Sequence, residues 1–409
     1  MDFLKVDSLE TAVEKISNAT PWLTATNTLL LEDSHGHFLA EHIYAKDNVP
    51  NFRRSAVDGY AVLAKDVAGA GESSPAFLQL IGTVPIGQNT NLKLLSGQCV
   101  EVPTGGMVPE GADAVVMVEY TEIFGEDEIA ISQPASYFEN IVEIGDDIKK
   151  EELMFEPGKE LTTKEIGALA AVGTREISVY TTPIVTIIST GDELQEGINS
   201  PALPLGKIHD ISSYTLKSLA ENHGCKVVET FVLPDNLELL EKTICHGMKT
   251  SNIVIISGGS SYGKYDITAK AISNVATPGI FTHGLALKPG KPTILATDEF
   301  SQTLIIGLPG HPVSAMVVLE LLLNNILPQK NIKKFPIPAK LACNVAADGG
   351  KMTVYPCTLT HTVEGYLAEP VFGKSATITT LTKSDGYFVI NAGVEGLRKG
   401  SDVLVHIVY

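Results

Sequence analysis

Ile187-Ile188-Ser189-Thr190-Gly191-Asp192-Glu193, Ile255-Ile256-Ser257-Gly258-Gly259-Ser260-Ser261-Tyr262-Gly263 and Ile305-Ile306-Gly307-Leu308-Pro309-Gly310-His311-Pro312 are built on one plan. Each is a short apolar run that reads as a strand, followed at once by a glycine-containing loop. The second and third lead directly into helical patterns, and a helix follows the first after a longer loop. In an open parallel sheet, loops leaving the carboxyl ends of strands emerge along one edge, and ligands bind there. Glycine lets backbone approach a ligand closely, and helix N-termini offer N–H donors to anions. The three loops therefore predict an α/β domain with an anion-facing rim.

Outward from these loops, strand and helix patterns alternate. Strands are expected at Ile184–Ile188, Val227–Val232, Ile253–Ile256, Thr293–Ala296 and Leu304–Ile306. Helices are expected at Ser212–Asn222, Leu237–Met248, Ile267–Asn274 and Val313–Leu327. This order predicts a doubly wound sheet over residues 178–328. Residues 1–177 form an N-terminal region. Asp7 and Glu10 make a capping-box pattern before Leu9, Val13 and Ile16, and Thr162 to Val172 reads as a second helix. Residues 50–150 are rich in Gly, Pro and Val, with alternating runs such as Cys99-Val100-Glu101-Val102 and Ala114-Val115-Val116-Met117-Val118, and predict a β-rich lid. Pro328 and Lys333-Lys334-Phe335-Pro336 read as a linker, and residues 335–409 carry strand signals alone, predicting a small β-barrel or sandwich. The fold class is thus α/β plus β, in several domains.

Composition narrows the functions. The chain has 409 residues, 44% of them hydrophobic, which suits several packed domains. Its formal charge of −18 argues against nucleic acid, whose phosphates need a basic surface. The five cysteines form no C-x-x-C pair, which argues against a zinc site or disulfide framework and for a reducing, cytoplasmic setting. The N-terminus has no signal-peptide pattern. The most apolar stretch, Met316 to Leu327, is short and contains Glu320, Asn324 and Asn325, so it reads as a buried helix and no membrane span is expected.

The glycine-rich loop admits three readings. Gly258 to Lys264 follows G-x-x-x-x-G-K, but Tyr265 stands where a P-loop needs a hydroxyl for Mg²⁺. Gly259 to Gly263 follows G-x-S-x-G, and Ser261, Asp266 and His283 stand in hydrolase order, though Asp266 is close in sequence for a triad acid. A glycine turn that merely seats a helix is the plain alternative. Around the loop, Asp192, Glu193, Asp210, Asp235 and Asp266 fall at or after strand ends. Asp210, Asp235 and Asp266 would each serve as helix caps. A rim of carboxylates also suits Mg²⁺ shared with a substrate phosphate. Lys288-Pro289-Gly290-Lys291-Pro292 holds two positive charges on a stiff turn, fit for an oxyanion.

Longer stretches resemble one family along nearly the whole chain. They are Phe52-Arg53-Arg54-Ser55-Ala56-Val57-Asp58-Gly59-Tyr60-Ala61, Pro103-Thr104-Gly105-Gly106-Met107-Val108-Pro109-Glu110-Gly111-Ala112-Asp113, Gly145-Asp146-Asp147-Ile148, Ser189 to Leu194, Ser257 to Ser261, Lys288 to Pro292 and Gly307 to Ala315. Together they resemble the molybdopterin molybdotransferases, the MoeA-type proteins and the E domain of gephyrin.

The resemblance implies a transferase of molybdenum-cofactor biosynthesis. It would take adenylylated molybdopterin, hydrolyse the adenylate with release of AMP, and insert molybdate into the dithiolene with the aid of Mg²⁺. It implies a homodimer whose lid reaches the partner's site through Asp58 and Thr104. It gives catalytic positions to Asp58, Thr104, Asp147, Glu193, Ser261 and Asp266, and metal-binding positions to Asp235 and Asp266. Ser257, Gly258, Gly259, Asp235, Pro309 and Pro312 match the cofactor site, and Lys288, Lys291 and Ser375 the molybdate pocket. Molybdopterin adenylyltransferase and molybdoenzyme chaperones are the implied partner proteins. Departures remove positive or amide groups: Val142-Glu143-Ile144 stands where many members carry arginines, Ser212 where an Asn is common, no lysine stands near Gly284, and Lys351 is the one basic residue from Lys351 to Pro356. They bear on anion affinity and not on the fold. The alternatives are a tungstate-inserting paralogue, a binding or scaffold protein on the same fold, and a serine hydrolase using Ser261.

Overall fold

The computed structural model describes residues 6–195, 203–258, 267–328, 335–373 and 377–407. They form two compact units. The larger contains the residues before 42, 157–162 and those from 176 onward; the smaller contains 42–156 and 163–175.

The larger unit is built on a six-stranded sheet. Its strands in chain order are β1 (Ile184–Thr190), β2 (Lys226–Leu233), β3 (Ile253–Ser257), β4 (Pro278–His283), β5 (Ile294–Asp298) and β6 (Thr303–Leu308). Across the sheet they lie in the order β2-β1-β3-β6-β5-β4. β2, β1, β3 and β6 are parallel, and β5 runs antiparallel to both of its neighbours. The turn 299–302 between β5 and β6 is too short for a crossover, so these two strands must form a hairpin. β4 did not show in the sequence because Pro278-Gly279 reads as a turn; as an edge strand it tolerates a proline.

The helices are α1 (Ser212–Asn222), α2 (Leu237–Thr250), α3 (Ile267–Val275) and α4 (Pro312–Ile326), each within two residues of its predicted bounds. They cover both faces of the sheet because strand side chains alternate. Ile187, Ile255 and Ile306 pack with α1, α4 and the N-terminal helix Leu9–Ala19. Ile188, Ile256 and Ile305 pack with α2 and α3. The N-terminal helix is capped by Ser8, whose Oγ accepts from Thr11 N at 3.2 Å, and not by Asp7 as the capping-box pattern suggested. Asp7 is instead buried, accepting from Lys15 Nζ at 2.5 Å and Thr282 Oγ1 at 2.6 Å.

α4 is buried along nearly its whole length, yet its polar residues are satisfied. Glu320 pairs with His223 Nε2 at 2.8 Å and accepts from Asn324 at 2.8 Å, while Asn325 donates to Leu321 O at 2.7 Å. Among the described residues no helix is long and apolar enough to cross a membrane.

The C-terminal strands close on themselves. Met352–Thr362 pairs with Gly365–Pro370, then Ile337–Leu341, Asp402–Ile407 and Gly386–Ile390 follow, and the last pairs back with Met352–Thr362. The domain is a barrel and not a sandwich, with Leu341, Cys357, Ala368, Phe388 and Val405 fully buried inside. It is tied to the α/β domain by a short parallel pairing in which Lys288 stands against Thr353.

The smaller unit is a β-rich module, with a six-stranded sheet in the order Ala114–Met117, Gly59–Val62, Gln98–Val102, Ala76–Thr83, Glu128–Ile131 and Thr121–Phe124. Alternation again makes two cores, one with Tyr60, Val62, Cys99 and Val116, the other with Ala61, Val100, Val102 and Val115. Gly59 is required there: a Cβ would lie 1.9 Å from the carbonyl oxygen of Val116.

Candidate functional site

β1 is followed by β2 on one side, and the chain leaving β3 crosses to the opposite side of the sheet. The gap between the carboxyl ends of β1 and β3 is therefore the switch point, where open α/β sheets bind ligands. A cavity of about 810 Å³ opens there. The loops after β1, β3 and β6 all contribute to it through Thr190–Leu194, Ser257–Gly258 and Pro309–Pro312. They share one edge, as predicted, and the Cβ position of Gly310 lies 3.5 Å from Gly258 Cα.

Local chemistry explains the shape. Gly258 has φ of +109°, and a Cβ would fall 2.0 Å from Thr190 O, so only glycine lets the loop close against β1. Thr268 Oγ1 donates to Gly258 O at 3.0 Å, pinning the loop to α3. Asp235 is not the cap of α2; Asn236 is, its side chain accepting from Leu239 N at 2.9 Å. Asp235 Oδ1 accepts from Thr190 Oγ1 at 2.8 Å, and Asp235 N donates to Asp192 Oδ1 at 3.1 Å, so two strand-end loops are bonded together. Asp210 does act as a cap, with Oδ1 accepting from Ser213 N at 3.3 Å, but its buried Oδ2 has no partner among the described residues. Ser212 Oγ and Ser257 Oγ are 3.1 Å apart, joining α1 to the end of β3. α4 begins with Pro312 and lacks a side-chain cap, so the N–H groups of its first turn face the cavity's end.

Asp192, Glu193 and Asp235 present exposed carboxylates to this cavity. Among the described residues no cluster of three acidic, histidine or cysteine side chains makes an all-protein cage.

A second cavity, of about 350 Å³, lies between the α/β domain and the barrel. Pro292 lines the first cavity and Lys288 and Pro289 the second, so the Lys288–Pro292 turn runs between them. The turn is pressed on α4 at Gly290, where a Cβ would meet Val318 at 2.4 Å. Lys288 Nζ donates to Asp348 at 3.0 Å, and Lys351 stands 3.5 Å from the same carboxylate. The Lys288 hydrogen bond holds the Asp348 carboxyl below the usual carboxylate range. Lys291 lies in the turn itself, its carbonyl accepting from Leu285 N and Thr293 N.

The other expected residues are placed as follows. Asp58, Thr104 and Asp147 belong to the smaller unit and are exposed. Asp58 accepts from Thr104 N at 2.7 Å, and this bond lowers its pKa. Gly259, Ser261, Asp266 and Ser375 lie outside the described residues. His283 ends β4, three strands from β3 across the sheet. His209, Asp348 and Thr353 were not legible as site residues, because no local motif surrounds them; His311 stood inside the third loop but was not singled out from it.

Fold and cavity define the class: an open α/β domain with a cavity at its switch point and the N-terminus of α4 at the cavity wall. Family profiles cover the chain in order. They are the MoeA N-terminal region (domains I and II) over residues 7–173, a probable molybdopterin-binding domain over 186–329, and the MoeA C-terminal region (domain IV) over 338–408. The chain is 34% identical over 333 residues to a molybdopterin molybdenumtransferase of Haemophilus influenzae, covering 80% of each. It is 30% identical over 391 residues to that of Bacillus subtilis, covering 94% of this chain and 90% of the relative. The crystal structure of a molybdopterin biosynthesis MoeA protein from Pyrococcus horikosii superposes with a TM-score of 0.78 at 33% identity, over 98% of this chain and 99% of that one. The chain belongs to the molybdopterin molybdenumtransferase family, enzymes of molybdenum-cofactor biosynthesis.

Proposed function

We propose that this enzyme takes adenylylated molybdopterin, hydrolyses the adenylate with release of AMP, and inserts molybdate, with Mg²⁺ required. The observation that carries the reading is the pair of cavities on either side of the Lys288–Pro292 turn. One is large, glycine-walled and closed by a helix N-terminus, as a phosphorylated ligand needs. The other has Lys288 at its wall, as a small oxyanion needs.

In this reading Ser257, Gly258, Gly259, Asp235, Pro309 and Pro312 shape the molybdopterin site. Asp235 and Asp266 would hold Mg²⁺, which when bound neutralises the non-bridging phosphate oxygens. The first-turn N–H groups of α4 orient the same anion. Hydrolysis adds water across the phosphoanhydride: hydroxide goes to one phosphorus and the proton to the other released phosphate. Asp266 and Glu193 position that water and the leaving group, with Ser261 donating to a phosphate oxygen. Lys288, Lys291 and Ser375 hold molybdate. Asp147 serves as a further catalytic acid, and Asp58 and Thr104 of a second copy complete the site in a cytoplasmic homodimer. A phosphate-sized oxyanion of either molybdenum or tungsten suits such lysines, so both metals belong in the assay.

The test is incubation with adenylylated molybdopterin, Mg²⁺ and molybdate or tungstate, following AMP. Asp266→Asn is expected to slow AMP release about a hundredfold or more without unfolding the chain, because the amide keeps shape and loses charge. AMP release at the wild-type rate would make Asp266 a helix cap only. No AMP release by the wild-type chain would favour a binding or scaffold role.

A further inference from the structure

Thr353 is 2% exposed, and its Oγ1 has no hydrogen-bond partner among the described residues. A buried hydroxyl without a partner is costly, and a methyl in its place would serve the barrel equally well. The neighbouring Val354 and the cross-strand Ile390 show that this part of the strand accepts purely apolar side chains. Yet Thr353 is not on a featureless core face. It lines the 350 Å³ cavity, and the strand register sets it directly beside Lys288, on the same wall. The cavity's other buried hydroxyl, that of Thr380, is engaged with Thr377 Oγ1 at 3.0 Å. Lys288, whose ammonium is held by Asp348, and Thr353, whose buried hydroxyl is unused among the described residues, thus line one small cavity side by side.

We infer that Thr353 donates its hydroxyl proton to an oxygen of the tetrahedral oxyanion that Lys288 attracts, and so sets how tightly the oxyanion is held. Lysine is a flexible point charge with little directional preference. A hydroxyl held on a barrel strand adds the direction: it fixes one oxygen and thereby the orientation of the whole tetrahedron. The inference rests on reading this cavity as the oxyanion pocket.

The experiment is calorimetric titration of the full-length protein with molybdate, using wild type, Thr353→Val, Thr353→Ser and Lys288→Ala, with thermal midpoints recorded for each. Thr353→Val is expected to weaken molybdate binding about tenfold, the worth of one hydrogen bond to an anion, and Thr353→Ser to restore it to within about twofold. The Val variant is also expected to melt no lower than wild type, since it removes an unsatisfied buried group. A purely structural role would move the melting point and leave binding alone. If Lys288→Ala weakens binding and Thr353→Val does not, the inference is overturned and the pocket assignment stands. If Val and Ser weaken binding equally, the hydroxyl is not the contact and the inference is overturned as well. If neither Lys288→Ala nor Thr353→Val changes binding, the oxyanion pocket itself lies elsewhere.

Discussion

Gly258 shows what one residue decides. Its positive φ and the 2.0 Å approach of its would-be Cβ to Thr190 O bring two strand-end loops together at the switch point. Gly258→Ala is therefore expected to push the loops apart. Stability should fall by more than about 1 kcal/mol, since a Cβ here is both strained and obstructed. Calorimetry should show the lower melting point together with loss of molybdopterin binding, and an alanine variant that binds normally would count against the site as drawn. That a glycine was needed at this point was legible from the strand-Gly-Gly pattern. Asp235 was legible only in part: its position at a strand end was clear, but a cap and a ligand-facing carboxylate share the same sequence signature. Asn236 takes the cap and Asp235 instead accepts from Thr190, 45 residues away, which removes the cap reading. Thr353 and Asp348 had no such signature, because what marks them is the lysine brought beside them by a 60-residue excursion of the chain.

At the level of elements, the junction between α4 and the barrel combines apolar packing with a small polar group. Tyr387 and His406 stack at 5.2 Å with rings 16° from parallel, near Glu320 of α4. Burial lowers the proton affinity of His406, and the charge of Glu320 opposes that shift. A histidine kept neutral by the fold takes up a proton more readily when unfolded, so below its ordinary value of 6.5 the unfolded chain binds more protons. Stability should thus rise with pH through the histidine range and fall as pH drops below it. His406→Phe keeps the ring on Tyr387 and should flatten that slope; melting points from about pH 5 to about pH 7.5 would show it. An unchanged slope would assign the pH dependence to other histidines. The α4 pattern itself was readable, since a long apolar run with Glu320, Asn324 and Asn325 predicts a buried helix. The distant partner of Glu320 was not, because His223 comes from the end of α1 nearly a hundred residues earlier. β4 escaped for a different reason: a Pro-Gly start is ordinary turn chemistry unless the strand lies at a sheet edge.

For the whole molecule, the proposal that a second copy completes the site predicts a particle of twice the 43.6 kDa chain mass by light scattering at micromolar protein. A monomer at that concentration that still releases AMP would remove the shared site. The chain's −18 charge makes the local placement of its cations matter more, since an anionic substrate is attracted only where lysines or a bound cation outweigh the acidic surface. By itself the sequence determined the strand–loop–helix order, the doubly wound domain and the edge on which its loops meet. Hydrophobic period and glycine position are local properties, and they act within a few residues of where they are read. Only the tertiary structure decided that the C-terminal strands close into a barrel, that one strand of the central sheet runs backwards, and that Lys288 and Thr353 stand side by side on the wall of a second cavity. Closure, direction and long-range side-chain pairing depend on which distant segments bury each other's surfaces, and no window of sequence contains both partners.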